Sequence, residues 1–207
     1  MRPRGFRRAL STLAMVLSIT GCNAMKIDDF ANREPRLVLE DYFAGKTRAW
    51  GLFEDRFGNL RREFVVDITG HWDGRQLVLD EAFRYADGET DRRVWTITRQ
   101  SDGTYQGRAA DVIGTATGVA AGNALNWRYE MDLKIGERTL RVSFDDWMFL
   151  QPNQVLLNRA RVDKWGLRIG EVTLMFVKAD ANTESKLPAP GPRFIERQPT
   201  AAAGGAE

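Results

Sequence analysis

The chain has 207 residues, of which 43% are hydrophobic and 28% charged, as is ordinary for one soluble globular domain with a sizeable core. Its formal net charge is +2, but residues 1–21 hold four arginines and no acidic residue, so the remainder carries −2. The charge therefore does not indicate a nucleic-acid partner. The chain has one His, His71, and one Cys, Cys22, so we expect neither a metal site nor a bound cofactor.

Residues 1–21 have the features of a lipoprotein signal peptide. Four arginines precede an apolar run from Ala9 to Ile19, which is too short for a membrane span. The run ends in Ile19-Thr20-Gly21-Cys22, which resembles a bacterial lipobox, where cleavage precedes an acylated Cys. Acylation of Cys22 would anchor the protein to a membrane. Asn23 stands where Asp would commonly mark inner-membrane retention, so the resemblance implies the inner leaflet of the outer membrane, facing the periplasm. An ordinary signal peptide with an incidental Cys is the alternative.

Three segments follow the signal peptide. Residues 22–36, the acylated Cys and a polar stretch, are interpreted as a tether. Residues 37–178 are predicted to form one domain, in which Leu37 to Phe43 fits a short helix or a first strand. From Thr47 onward, alternating apolar residues indicate strands. Residues 179–207 are rich in Pro, Ala and Gly and are predicted to be disordered.

Three Asp-Gly pairs mark tight turns between successive strands. They lie at Asp73-Gly74, Asp87-Gly88 and Asp102-Gly103, and they supply the positive φ values that hairpin turns need. The stretch 114–122 is rich in Gly, Ala and Thr. It fits either a strand whose small side chains admit close approach or a bend at a barrel corner.

The pattern predicts an all-β fold of about nine or ten strands joined by short turns, with no long helix. There is no room for the helical crossovers that parallel strands require, so the sheet is expected to be antiparallel. Because closure removes exposed edges, we expect a single β-barrel with space for one small ligand. A two-sheet sandwich is the alternative.

A hairpin near the C-terminus of the domain carries the best indication of a site. Its two strands are joined by a turn at residues 151–154, and each has an apolar face of alternate residues. Asp146 lies in one of these apolar rows and Asn158 in the other. A buried carboxylate or amide is unfavourable unless something pairs with it, so we expect partners for both side chains.

Four polar residues fall in register with apolar rows: Glu81, Arg93, Asp146 and Asn158. We hypothesise that they point into one cavity, where Arg93 pairs with Glu81 or Asp146 and anchors a ligand head group. Six aromatic residues would enclose an apolar tail: Trp72, Phe83, Tyr85, Trp95, Trp127 and Phe144. The alternative is a buried ion-pair network that fixes strand register. A carboxylate pair for acid–base catalysis is a further possibility, but we predict no enzyme and no catalytic residue.

A family resemblance rests on several motifs, which are specific together: Trp72-Asp73-Gly74, Glu81 with Phe83 and Tyr85, Arg93-Val94-Trp95, Asp145-Asp146-Trp147-Met148, Asn158-Arg159-Ala160 and Lys164-Trp165-Gly166. With these residues, the chain resembles the DUF3833 family of bacterial lipoproteins over about residues 26–178. The resemblance implies a lipocalin-like, calycin-type barrel in the cell envelope. It implies no established activity, and only a general relation to lipids.

Three functions are consistent with these features. The first is an acylated barrel that binds a fatty acid or another lipid. The second is a structural or assembly lipoprotein that docks another envelope protein through Asp145, Trp147 and Arg159, which fall on the opposite face from Asp146. That face could instead lie under the tether or the tail. The third is an accessory enzyme acting on lipids.

Overall fold

A computed structural model describes residues 25–135 and 138–179 as one closed antiparallel barrel of ten strands. Each strand pairs with its neighbours in the sequence, and the first strand pairs with the last to close the wall. The strands are β1 (Gly45–Asp55), β2 (Leu60–Trp72), β3 (Gln76–Tyr85), β4 (Thr90–Arg99), β5 (Tyr105–Arg108), β6 (Val112–Ala121), β7 (Ala124–Ile135), β8 (Arg138–Leu150), β9 (Val155–Lys164) and β10 (Leu167–Ala179). The predicted all-β barrel is confirmed. The predicted signal peptide, Cys22 and all but the first residue of the predicted tail lie outside the described residues.

The Asp-Gly turns form as predicted. At the β2–β3 turn, Gly74 has a φ of +92°, a conformation that favours glycine. The Asp73 carboxylate accepts hydrogen bonds from the backbone N–H groups of Arg75 and Gln76, both at 2.7 Å. The side chain thereby satisfies donors that the turn leaves unpaired, which is why Asp precedes Gly at such positions.

The glycine-rich stretch 114–122 combines both predicted roles. Most of it belongs to β6, whose register shifts between Ile113 and Thr117, so the strand bends there. A Cβ atom at Gly118 would lie 2.3 Å from the Trp127 ring, and one at Gly107 would lie 2.5 Å from the same ring. These two glycines therefore make room for the indole inside the barrel.

A short helix closes one end of the barrel. Helix α1 (Leu39–Phe43) settles the alternative between helix and strand, and Leu39 and Phe43 lie in the core. The Tyr42 hydroxyl donates to the backbone carbonyls of Gln154 and Phe176, at 3.0 and 3.2 Å. Lys178 on β10 donates from Nζ to the carbonyl oxygen of Tyr42 at 2.6 Å and also to that of Ala44. We call this the closed end.

The opposite end, which we call the open end, carries the β1–β2, β3–β4, β5–β6 and β9–β10 connections. Within the described ranges, no helix has the length and hydrophobicity to cross a membrane.

The described part of the predicted tether packs on the outer wall near the closed end. A 3-10 turn at Ile27–Phe30 buries the Phe30 ring against Trp147 and Phe149, with centroid distances of 5.9 and 5.3 Å. The Leu37 N–H then donates to the Gly122 carbonyl at 2.8 Å. The N-terminal segment therefore covers Trp147, whereas Arg159 on the same predicted outer face remains 63% exposed.

Candidate ligand-binding cavity

The barrel encloses a cavity of about 480 Å³ that extends from helix α1 towards the open end. Its wall is made by the inward rows of the strands and is mostly aliphatic and aromatic. Nine of the ten predicted site residues line it: Glu81, Phe83, Tyr85, Arg93, Trp95, Trp127, Phe144, Asp146 and Asn158. A volume of this size lies within the usual range for small-molecule sites.

Trp72 is the predicted site residue that does not line the cavity. It follows Gly70 on the inward face of β2 and packs against the core beyond the cavity. A Cβ atom at Gly70 would lie 1.8 Å from the carbonyl oxygen of Phe43, so helix α1 fills the interior at this level. Strand alternation placed Trp72 on the correct face, but it could not show that a helix would separate the indole from the cavity.

Arg93 is the centre of the polar group in the cavity wall. Its guanidinium donates to Asp111, with Nε 2.9 Å and Nη2 2.8 Å from Oδ2. Glu81, which lies opposite Arg93 in the β3–β4 register, is farther away, with 3.9 Å between Oε2 and Nη1. In the described structure, Arg93 and Asp146 form no ion pair within 4.0 Å. The main partner is therefore Asp111, which the sequence reasoning did not assign to the site.

Burial and the neighbouring charges have opposite effects on the pKa values of Glu81 and Arg93. Burial raises the pKa of Glu81 to about 7, although the charge of Arg93 offsets part of this effect. Burial disfavours the charged form of Arg93, but Glu81 and the hydrogen bond to Asp111 outweigh burial and raise its pKa. Arg93 is therefore a permanent cation, whereas Glu81 can hold a proton near neutral pH.

Asp146 and Asn158 lie together on β8 and β9, 5% and 4% exposed. Asn158 Nδ2 donates to Asp146 Oδ2 at 3.3 Å, while the Oδ1 atoms of both residues are buried without a hydrogen-bond partner. Burial raises the pKa of Asp146 to about 7. A protonated Asp146 carries no charge and gains a hydrogen-bond donor beside the buried, unpartnered Asn158 Oδ1. The two residues then form a neutral acid–amide pair.

Aromatic rings surround these polar groups. Trp95 contacts Trp127 edge-on at 5.7 Å between ring centroids, and Tyr129 stacks on Phe144 at 4.9 Å. Tyr129 was missed in the sequence analysis, although it alternates with Trp127 along β7 and so shares its inward face. The cavity wall is thus apolar over most of its area, with hydrogen-bonding groups at two places, one on β3 and β4 and the other on β8 and β9.

The mouth of the cavity carries a basic residue that sequence reasoning also missed. The Arg62 guanidinium lies 3.5 Å from the centroid of the Tyr85 ring. It also forms ion pairs with Asp87, at 3.2 Å, and with Glu89, both in the β3–β4 connection. Arg62, Asp87 and Glu89 all line the cavity at this end.

The remaining candidates for chemistry are His71 and potential metal ligands. His71 is exposed on β2, between the inward-facing Gly70 and Trp72. Among the residues that the structure describes, no three His, Cys, Asp or Glu side chains are arranged to hold a metal ion.

Comparison with known proteins places the chain in a family. A search of curated proteins gave no significant match. A family profile described as "Protein of unknown function (DUF3833)" matches residues 16–178, which is most of the chain and includes every residue of the cavity wall named above. The closed barrel and its inward polar group are therefore the structure of a protein that belongs to the DUF3833 family.

Proposed function

We propose that this protein is a membrane-anchored binding module that holds a fatty acid or another single-chain lipid inside the barrel. The observation that carries the proposal is the preformed cavity of about 480 Å³ with a largely apolar wall. Apolar surface in a cavity of this kind favours a hydrocarbon chain over a polar metabolite. The ten-stranded wall shields such a chain from water along its length.

The polar groups support an anchor for the head of the ligand. Arg93 is hydrogen-bonded to Asp111, and Glu81 lies beside it, 3.9 Å away. With its pKa raised to about 7, Glu81 can donate a hydrogen bond when protonated and accept one when ionised. A carboxyl, hydroxyl or amide head group can therefore find a partner there, while the tail contacts Trp95 and Trp127.

The sequence supports an envelope location for this module. The lipobox at Ile19-Thr20-Gly21-Cys22 favours acylation of Cys22, and Asn23 favours the inner leaflet of the outer membrane, facing the periplasm. Labelling of cells with a palmitate analogue tests the anchor, because a Cys22→Ser variant should lose the label. A labelled variant would contradict acylation at this position.

Fluorescence quenching by a brominated fatty acid tests the ligand. The bromine atoms should quench Trp95 and Trp127, which line the cavity, when the acid is added to the full chain. An Ala160→Phe variant places a ring in the cavity and should weaken this quenching. Leu157→Phe, on the outer face of the same strand, is the matched control and should leave it unchanged.

Two results would refute the proposal. One is the absence of quenching by a brominated fatty acid, a brominated fatty alcohol and a brominated fatty amide. The other is equal quenching in the Ala160→Phe variant, because the ligand would then lie outside the cavity. Docking of another envelope protein through the outer face is less favoured than cavity binding, because Phe30 already covers Trp147, the one large apolar side chain of that predicted face.

A further inference from the structure

Four apolar side chains are exposed together at the open end, and we call them the aromatic rim: Phe57, Leu60, Trp165 and Leu167. Trp165 is 90% exposed and Phe57 is 74% exposed, although large apolar side chains normally find cover. The rim joins the β1–β2 connection to the β9–β10 turn. A hydrogen bond from the Arg56 N–H to the Ile169 carbonyl, at 3.0 Å, shows that these segments are neighbours.

The backbone at Trp165 has a conformation that tryptophan does not favour. Trp165 and Gly166 form a two-residue turn with φ values of +53° and +77°. Such turns favour Asn, Asp or Gly, because other side chains fit the left-handed region poorly. The indole is exposed to solvent, so burial of the ring does not offset this backbone strain. An unfavourable backbone that presents an exposed ring points to a contact outside the chain.

Each of the two most exposed rings carries its own cation. The Arg56 guanidinium lies 4.7 Å from the Phe57 centroid, and Lys164 Nζ lies 4.3 Å from the Trp165 centroid. Within the described part of the chain, neither cation has a carboxylate within the 4.0 Å ion-pair distance. Both positive charges therefore remain available to an anionic partner, in contrast to Arg61 and Arg168, which are paired with acids.

We propose that the aromatic rim docks the open end of the barrel onto an anionic lipid surface. Aromatic rings with an adjacent cation suit the boundary of a bilayer, where the ring enters the head-group layer and the cation meets phosphate. The rim borders the cavity mouth, since Arg61, next to Leu60, lines the cavity. Docking therefore places the entrance against the membrane, where a lipid can pass between the bilayer and the barrel.

The position of the N-terminus gives this docking a direction. The described chain begins at Met25, close to the 3-10 turn that packs near the closed end. Met25, the first described residue, and the aromatic rim thus lie towards opposite ends of the barrel. If Cys22 anchors the protein to one membrane surface near the closed end, the rim would contact a second lipid surface.

Quenching of Trp165 in vesicles tests the docking surface directly. The full chain is mixed with vesicles of brominated phosphatidylcholine, with or without phosphatidylglycerol. The emission of Trp165 is obtained by subtracting that of a Trp165→Asn variant, because Asn suits this turn. Trp50, on the outer face of β1 away from both ends, is measured in the same way through Trp50→Phe as the matched control.

Trp165 emission should be quenched and shifted to shorter wavelength in the anionic vesicles, while Trp50 emission stays unchanged. An Arg56→Gln/Lys164→Gln double variant should bind these vesicles roughly tenfold less tightly or weaker still, because two positive charges near an anionic surface are lost. Unquenched Trp165 would overturn the proposal and leave a protein as the partner of the rim. Equal quenching in vesicles without phosphatidylglycerol would overturn the anionic requirement.

The result is separable from lipid binding in the cavity. Quenching of Trp95 and Trp127 by a brominated fatty acid should persist in the Trp165→Asn variant, because the rim does not form the cavity wall. Loss of docking with cavity binding retained is therefore distinguishable from failure of the cavity proposal.

Discussion

Replacing Asp146 with Asn should make the protein more stable at and above neutral pH. In the wild type, the Oδ1 atoms of Asp146 and Asn158 are both buried without a hydrogen-bond partner. The amide of an Asp146→Asn variant has the same shape, can accept from Asn158 Nδ2 and offers a donor to the unpartnered Asn158 Oδ1 at every pH. The substitution therefore keeps the neutral pair and removes the possibility of a buried charge.

The magnitude follows from the pKa of Asp146, which burial raises from 3.8 to about 7. Between these values the folded protein holds a proton that the unfolded chain has released, so the free energy of unfolding falls as the pH rises. This interval, at about 1.4 kcal/mol per pH unit, corresponds to about 4 kcal/mol. The loss is complete above about pH 7 and absent below the pKa of the unfolded chain.

Urea unfolding followed by tryptophan fluorescence, at a series of pH values from 4 to 8, measures this effect. The variant should match the wild type near pH 4 and exceed its free energy of unfolding by up to about 4 kcal/mol at pH 8. Glu81 still titrates in the variant, so a shallower slope should remain.

An Asn158→Ala control keeps the carboxyl of Asp146 and should keep the steep slope at lower overall stability. Identical slopes in the wild type and the Asp146→Asn variant would refute the reasoning, because Asp146 would then be ionised in the folded state across the whole range.

Three further substitutions probe other parts of the structure. Arg93→Ala should lower the free energy of unfolding by about 2 kcal/mol in urea titrations, because it removes the charged hydrogen bonds between Arg93 and the partly exposed Asp111. Gly118→Ala should lower the melting temperature, since the new methyl group would stand 2.3 Å from the Trp127 ring, and should reduce the near-ultraviolet circular dichroism of that indole. Phe30→Ala should release the segment from residue 25 to 36 to a protease while the barrel stays intact, because the ring is its main contact with the wall.

Each of these three has a matched control. Arg92→Ala lies next to Arg93 but points outward, and Val119→Ala does the same beside Gly118. Phe57→Ala, the control for Phe30→Ala, removes a ring that is 74% exposed. If a control has as large an effect as the substitution it is matched to, that effect does not arise from the cavity wall or from the packed N-terminal segment.

The strand arrangement could be predicted because two local signals agreed along most of the chain. Alternation assigned the inward face, and Asp-Gly pairs located turns such as that at Asp73 and Gly74. The same alternation placed Asp146 and Asn158 inside the barrel, since both lie well within regular strands. In a regular strand successive side chains point to opposite faces, so the orientation of one residue predicts that of the next.

The remaining features depend on contacts between distant segments. Asp111 follows the end of β5 in a connection, where alternation no longer determines which way a side chain points. Trp72 was assigned to the cavity because nothing in its own strand reveals the position of helix α1. Residues 25–36 are polar enough to resemble a tether, and their attachment rests chiefly on Phe30.

Because β1 pairs with β10, we expect the barrel to close late in folding. Thr47 near the start of the domain lies opposite Lys178 near its end, so the seam joins residues that are far apart in the chain. Lys178 also binds the backbone carbonyls at the end of helix α1, which links the seam to the closed end. A chain emerging from N- to C-terminus thus has no sealed interior until its final strand arrives, and a deletion within that strand would open the wall and loosen the helix together.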